Sequence, residues 1–192
     1  YLSKNPIVTL DFIISNPDKQ WDWDFLSVNT AWDIICKYPN LPWNWFFFGK
    51  ESKITWDFIN GNPDKPWNWY NLSQNPSVPW DIIHSNPDKP WKWDSISRYN
   101  QNITWNIINS NPDKPWNWKY LGTNPSVTWD DICFNLDKSW NWNYISKNPN
   151  ITINIINENL DKPWNWHHLS KNPNITWNFI KDNIDKPWNW NY

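Results

Sequence analysis

The sequence predicts an all-α solenoid of eight repeats, each about 24 residues long and built from two short helices. Three observations support this prediction. A Trp-x-Trp pair recurs along the whole chain at steps of 22 to 25 residues. Turns that mostly contain proline divide each repeat in two, and apolar residues within each half are spaced three apart, as on one face of a helix. Self-similarity at such a period is the signature of a repeat architecture.

The repeats form a single array with nothing left over for a second domain, and their approximate consensus is LSKNPNITWDIINSNPDKPWNWNY. The approximate boundaries are 1–23, 24–45, 46–69, 70–93, 94–118, 119–142, 143–166 and 167–192. Tyr1 and Tyr192 fall at the same phase of the repeat. Because the chain opens without Met, we expect a processed protein or a segment of a longer one.

The first helix of each repeat is expected to begin at a threonine, whose hydroxyl can accept a free backbone N–H. These threonines are Thr9, Thr55, Thr104, Thr128, Thr152 and Thr176. Pro79 takes this place in the fourth repeat, and proline is tolerated at a helix start. The helix should end at the asparagine before proline, as at Asn111, because a residue before proline disfavours the α region.

One isoleucine column should lie in the core. The third residue after the tryptophan position of the first helix is isoleucine in every repeat, namely Ile13, Ile35, Ile59, Ile83, Ile108, Ile132, Ile156 and Ile180. Residues three apart share a helical face, so Trp105 and Ile108 point into the core together.

The second helix is expected to begin in the Asp-Lys-Pro turn, with Asp as its cap and Pro in its first turn. It would bury an apolar residue three positions beyond the second tryptophan. These residues are Leu26, Phe48, Leu72, Ile96, Leu121, Ile145 and Leu169. A β-solenoid is the alternative fold, although the isoleucine spacing and the presence of only 3 glycines favour helices.

Composition and motifs exclude several functional classes. No run of 18 apolar residues exists, so no membrane insertion is expected. A net charge of −2 argues against a basic nucleic-acid binder. No catalytic triad, zinc-protease, phosphate-loop or CxxC pattern occurs, so we predict no enzyme, no catalytic residue, no cofactor and no metal site. The aspartates of successive Asp-Lys pairs would lie about 8–10 Å apart, too far to share a calcium ion.

The remaining polar candidates are expected to be structural. The histidines are His84, His167 and His168, and the adjacent pair, His167 and His168, should be exposed to solvent rather than form a site. Cys36 and Cys133 occupy the same repeat position four repeats apart, about 32–40 Å, which excludes a disulfide between them and predicts buried or half-buried free thiols.

Recurrent asparagines should bond the backbone of adjoining repeats rather than recognise a ligand. They are Asn5, Asn75, Asn124, Asn148 and Asn172, with Asn62, Asn86 and Asn111 at the other turn. A second set heads N-x-S/T sequons and is a weaker candidate for glycosylation: Asn71, Asn102, Asn150 and Asn174.

The tryptophan columns are the candidate binding surface, because flat aromatic faces can stack sugars or unpaired bases. The competing interpretation is that these large rings form the core. The pair is present in every repeat, so one of its two columns is the better candidate, without an indication of which column is exposed. The first column is taken as the candidate platform: Trp21, Trp43, Trp67, Trp91, Trp116, Trp140, Trp164 and Trp188.

The octapeptide NPDKPWNW, intact around Trp67 and Trp116, and the string NPNITW ending at Trp177 resemble the tryptophan-rich tandem repeats of giant DNA viruses of the mimivirus type. The resemblance implies a repeat scaffold of viral origin, located in the virion or the infected host cell, and implies no activity. The second repeat departs from the pattern at 38–42 and again at 46–51, where a local distortion or a docking surface is expected.

The favoured function is therefore a non-enzymatic structural protein. We expect a rod-like scaffold that binds itself head to tail, as a filament or virion fibre, or binds other proteins. The alternative is a glycan-binding or single-strand-binding module that uses exposed tryptophans.

Overall fold

A computed structural model describes residues 2–191, which fold into short helices and contain no strand. The predicted all-α repeat fold is confirmed, and the β-solenoid alternative is wrong for these residues. Tyr1 and Tyr192, whose shared phase was noted above, lie outside the described residues. The chain divides into two units, Tyr1–Val78 and Pro79–Tyr192, and the repeat pattern continues through both.

The first unit contains two 3₁₀ helices, Leu2–Lys4 and Trp45–Lys50. Its α-helices are α1 (Leu10–Ser15), α2 (Trp23–Asn29), α3 (Trp32–Lys37), α4 (Trp56–Gly61) and α5 (Trp69–Gln74). Each helix spans only one or two turns, so its stability must come from packing against neighbouring helices rather than from its own propensity.

The second unit repeats the same alternation of first and second helices. Its α-helices are α6 (Trp80–Ser85), α7 (Trp93–Tyr99), α8 (Trp105–Ser110), α9 (Trp118–Leu121), α10 (Trp129–Cys133), α11 (Trp142–Ile145), α12 (Ile153–Glu158), α13 (Trp166–Leu169) and α14 (Trp177–Asp182).

The threonine caps of the first helices are confirmed. All six predicted threonines accept the backbone N–H three residues further on. Thr128 and Asp131 form a complete capping box. The helix ends are confirmed at Asn16, Asn62 and Asn111, and each of these side-chain amides donates to the carbonyl four residues before it.

The predicted start of the second helix is wrong. These helices begin at the second tryptophan of each pair, not in the Asp-Lys-Pro turn. The backbone N–H of Trp116 bonds the Lys114 carbonyl at 2.7 Å, a tight turn that is incompatible with helix. Asn117, between the two tryptophans, caps the helix instead and accepts the Tyr120 N–H.

The core consists of the predicted columns and one further column. The isoleucine column is buried in seven repeats, whereas Ile180 is half-buried. The whole apolar column of the second helices is buried. A third buried column precedes the cap of the first helix and was not predicted: Ile54, Val78, Ile103, Val127 and Ile151.

Candidate functional site: the seams between repeats

The first tryptophan of each pair, the predicted platform, lies inside the protein. Six of these rings are buried, and Trp21 and Trp140 are half-buried. Every indole N–H donates to the carbonyl of the residue five positions earlier, at 2.7 to 2.9 Å. Each indole of this column is therefore fixed by a hydrogen bond at its N–H, and the rest of the ring is largely enclosed by the protein.

These rings are covered by the tryptophans of neighbouring repeats. The second tryptophan of one pair packs edge-to-face on the first tryptophan of the next, with ring centroids 5.0 to 5.5 Å apart. The contacts are Trp23–Trp43 and Trp45–Trp67 in the first unit, and Trp93–Trp116, Trp118–Trp140, Trp142–Trp164 and Trp166–Trp188 in the second. Each aromatic pair contributes about 0.5–1.5 kcal/mol beyond the area it buries. We call each such boundary between adjacent repeats a seam.

A stacking platform needs an accessible ring face. The buried rings of this column do not offer one, which argues against the predicted platform and favours the core interpretation. Tryptophans with large exposed surfaces lie elsewhere: Trp177 in α14 is 57% exposed and Trp190 is 59% exposed.

The lysine that follows the turn aspartate covers the outer edge of several seams. Lys65, Lys138 and Lys186 each place the ammonium nitrogen 5.5 to 5.7 Å from the ring centroid of the preceding repeat's second tryptophan. A cation over an aromatic face is attracted by its quadrupole. The same lysines also pair with the preceding aspartate, and those aspartates are exposed, so each ion pair contributes only about 0–1 kcal/mol.

An asparagine ladder crosses the seams, as predicted. The side-chain amide of Asn148 donates to the carbonyls of Asn124 and Val127 in the preceding repeat, at 3.3 and 3.0 Å. Asn172 and Asn75 bond the preceding repeat in the same way, and Asn124 makes one such bond. Asn5 is exposed and accepts the backbone N–H of Ile7.

A serine near the start of several repeats bonds the backbone between the two tryptophans of the same repeat, and this was not predicted; Gly49 and Gly122 take its place in two repeats. Ser97 accepts the backbone N–H of Asn117, and Ser146 accepts that of Asn165. Ser3, Ser27 and Ser170 do the same in their own repeats. The signal in the sequence was the recurrent serine directly after the buried Leu or Ile.

Two of the predicted glycosylation candidates use their amide groups inside the structure. Asn150 and Asn174 each donate to two carbonyls of the preceding repeat. Asn71 is buried. Glycosylation would remove amide donors from these bonds, so the geometry favours the structural interpretation.

The histidines and cysteines do not assemble into a reactive group. His167 is exposed as predicted, whereas the predicted exposure of His168 is wrong because this residue is half-buried; His84 is exposed. Cys36 is a half-buried free thiol, but Cys133 is exposed, because α10 ends at this residue and no further turn covers it. Partial burial raises the pKa of both thiols, which keeps them protonated near neutral pH. Residues 2–191 contain no cluster of three metal-ligating side chains.

Fold and seams together define an all-α tandem-repeat protein whose recurrent residues join each repeat to the next. In comparisons with protein-family models, curated proteins and solved structures, nothing matches this chain. None of the helices formed by residues 2–191 has the length and apolar character needed to cross a bilayer.

Proposed function

We propose that this protein is a non-enzymatic structural scaffold whose repeats associate with those of other copies. The proposal depends on one observation: the recurrent residues of the repeats are engaged in packing the repeats together. The tryptophan pair, the asparagine and the serine of the consensus all form contacts within or between repeats. A sequence that repeats for packing alone is typical of a structural array, whereas a catalytic centre needs residues that differ from the repeat.

The seam provides the geometry for association between copies. Within the second unit, Trp142 and Trp166 are half-buried because each packs on the first tryptophan of the following repeat. Trp190 occupies the same repeat position and is 59% exposed. Trp21 is the first tryptophan of the first pair and is half-buried, as is the equivalent Trp140 of an internal repeat.

Trp190 of one copy can therefore pack edge-to-face on Trp21 of another copy, as the second tryptophan of one repeat packs on the first tryptophan of the next at an internal seam. Such a contact joins two different surfaces, so it can extend head to tail into an open filament. This association continues an interface that the chain already uses between its own repeats.

The experiment is electron microscopy combined with sedimentation of the purified chain over a range of concentrations. We expect particles that lengthen with concentration, and Trp190→Ala should abolish the lengthening. Phe134→Ala is the matched control, because Phe134 is a large apolar residue 86% exposed within an internal repeat. Particles of constant length at every concentration would overturn the head-to-tail assembly.

A location in the virion or the infected cell stays a prediction based on the resemblance of the octapeptide to giant-virus repeats. The alternative function, a glycan or single-strand binder that uses exposed tryptophans, is disfavoured by the burial of the first tryptophan column.

A further inference from the structure

Two cations and three tyrosines gather on one face of the second unit. The guanidinium carbon of Arg98 in α7 lies 4.8 Å from the ring centroid of Tyr99, 5.2 Å from that of Tyr120 and 5.3 Å from that of Tyr144. The ammonium nitrogen of Lys147 lies 5.7 Å from the Tyr144 centroid. We call Arg98, Tyr99, Tyr120, Tyr144 and Lys147 the cation–tyrosine cluster.

The rings of the cluster hold the cations in place. Tyr120 and Tyr144 come from successive repeats and pack edge-to-face with centroids 5.1 Å apart. Their hydroxyl groups also interact, which raises the pKa of Tyr120. Cation–π contacts to several rings restrict the Arg98 side chain, so less conformational entropy is lost when this side chain binds a ligand.

No carboxylate forms an ion pair with the cations of the cluster. Within residues 2–191, neither Arg98 nor Lys147 lies within ion-pair distance of an acidic group. Asp94 lies on the same helix as Arg98 and acts electrostatically on Tyr120, but its carboxylate accepts the amide of Asn117 at 2.6 Å instead of pairing with Arg98. Burial, then Arg98 and Lys171, lowers the pKa of Lys147, as expected where like charges are held together.

The first repeat explains why these charges stay unpaired. Lys4 occupies the repeat position of Lys147, and its ammonium lies 3.9 Å from the carboxylate of Asp22. The residue equivalent to Asp22 is Asn165 in the repeat of Lys147 and Asn117 in the repeat of Arg98. Asparagine fills the capping role of aspartate without its charge, so the cap is kept and the counter-charge is lost.

An open groove adjoins the cluster. It has a volume of about 340 Å³ and is lined by Arg98, Tyr99, Gln101, Thr123, Pro125 and Lys147. Small-molecule sites begin at about 300 Å³. A guanidinium fork can bond two oxygens of an oxyanion, and an ammonium adds a point charge. The Gln101 amide and the Tyr99 ring can meet the hydroxyl groups and the apolar face of a sugar.

We propose that this groove binds an anionic sugar, whose phosphate or sulfate group lies between Arg98 and Lys147. The oxyanion supplies the counter-charge that the first repeat obtains from its own aspartate. The sugar ring lies along the side of the groove formed by Tyr99, Gln101 and Thr123.

The experiment is isothermal titration calorimetry of the full chain at low salt with three probes. Glucose 6-phosphate and galactose 6-sulfate present the two sources of oxyanion, and glucose is the neutral control. We expect binding of one or both charged sugars at millimolar concentration, weakened by added salt, and no binding of glucose. The charged sugar that binds more tightly identifies the source.

The variant Arg98→Gln/Lys147→Gln should lower the affinity at least about tenfold, since each oxyanion contact is a charge-assisted hydrogen bond. Lys53→Gln removes an exposed cation of the first unit and should leave affinity unchanged. Arg98→Lys keeps the charge without the fork and should give an intermediate affinity, which preserves the test if the double variant does not fold. Absence of binding by both charged sugars, equal binding of glucose, or loss of affinity in Lys53→Gln would overturn the proposal.

Discussion

Two seams of the molecule are built from the same repeat and differ in the hydrogen bonds that cross them. The irregular seam joins the repeats 24–45 and 46–69 in the first unit. The regular seam joins the repeats 119–142 and 143–166 in the second unit. Both have buried or half-buried tryptophans. A cavity of about 350 Å³ opens at the irregular seam, and the groove beside the cation–tyrosine cluster reaches the regular seam at Thr123, Pro125 and Lys147.

Aromatic packing does not explain the difference. At the irregular seam, Trp32 packs on Phe48 and on Phe58 with centroids 5.4 and 5.2 Å apart. Trp45 is 4% exposed although its helix is a 3₁₀ helix. The aromatic rings at this seam therefore pack closely although the local sequence departs from the consensus. Such repacking is possible because apolar contacts have little directionality.

The hydrogen bonds across the seam do differ. At the regular seam, Asn148 and Asn150 donate side-chain bonds to carbonyls of the preceding repeat. At the irregular seam, the ladder position is Glu51, whose carboxylate accepts the Lys53 N–H at 3.1 Å and cannot donate. Glu51 lines the cavity. The two seams therefore differ in the amide donors that cross them, while the rings are packed at both.

The largest effect is expected from breaking the regular seam with Asn148→Asp. Asn148 is fully buried, and a carboxylate there would face the Asn124 and Val127 carbonyls without a donor. Loss of about 3–5 kcal/mol in the free energy of unfolding is expected, because the charge is buried and unpaired. Urea denaturation measures it. Asn5→Asp changes an exposed residue at the same repeat position and should cost little; an equal loss in both variants would refute the ladder argument.

An intermediate effect is expected from repairing the irregular seam with Glu51→Asn. The new amide can keep the bond to the Lys53 N–H and can donate across the seam, so unfolding free energy should rise by about 1 kcal/mol. Glu158→Asn, at an exposed residue of α12, is the charge-matched control for urea denaturation. An equal change in the free energy of unfolding for both variants would show that the missing amide donor does not weaken the irregular seam.

The smallest effect is expected at the exposed ion pairs, which both units share. The hydrogen bond from Lys162 lowers the pKa of Asp161, as Lys19 does for Asp18. A carboxyl group whose pKa is lower in the folded state stabilises the folded protein at pH values above the pKa of the unfolded state. This stabilisation is lost as the pH falls through the pKa of the folded state. Because both pairs are exposed, Asp161→Asn and Asp18→Asn should leave the melting temperature at pH 7 unchanged. A clear decrease for either variant in a thermal melt at pH 7 would contradict this.

Local features of the fold could be predicted from the sequence. Thr128 caps its helix and Ile132 is buried because capping and helical spacing depend on residues three or four positions apart. The predicted start of the second helix was wrong because both the aspartate of Asp-Lys-Pro and the asparagine between the tryptophans can cap a helix. The tight turn that ends at Trp116 prevents a helix from starting at the aspartate, so the asparagine is the cap. The exposure of Cys133 depended on where α10 ends, which the sequence pattern does not specify.

The sequence by itself determined the period, the helical class and the apolar columns, because these follow from spacing within one repeat. Only the tertiary structure decided which groups of different repeats meet. It enclosed the first tryptophan column, directed the Asn148 amide to two carbonyls and brought Arg98 beside Tyr144. These contacts join residues about 24 positions apart in the sequence. They depend on how one repeat packs on the next, and the residue pattern within a single repeat does not specify that packing.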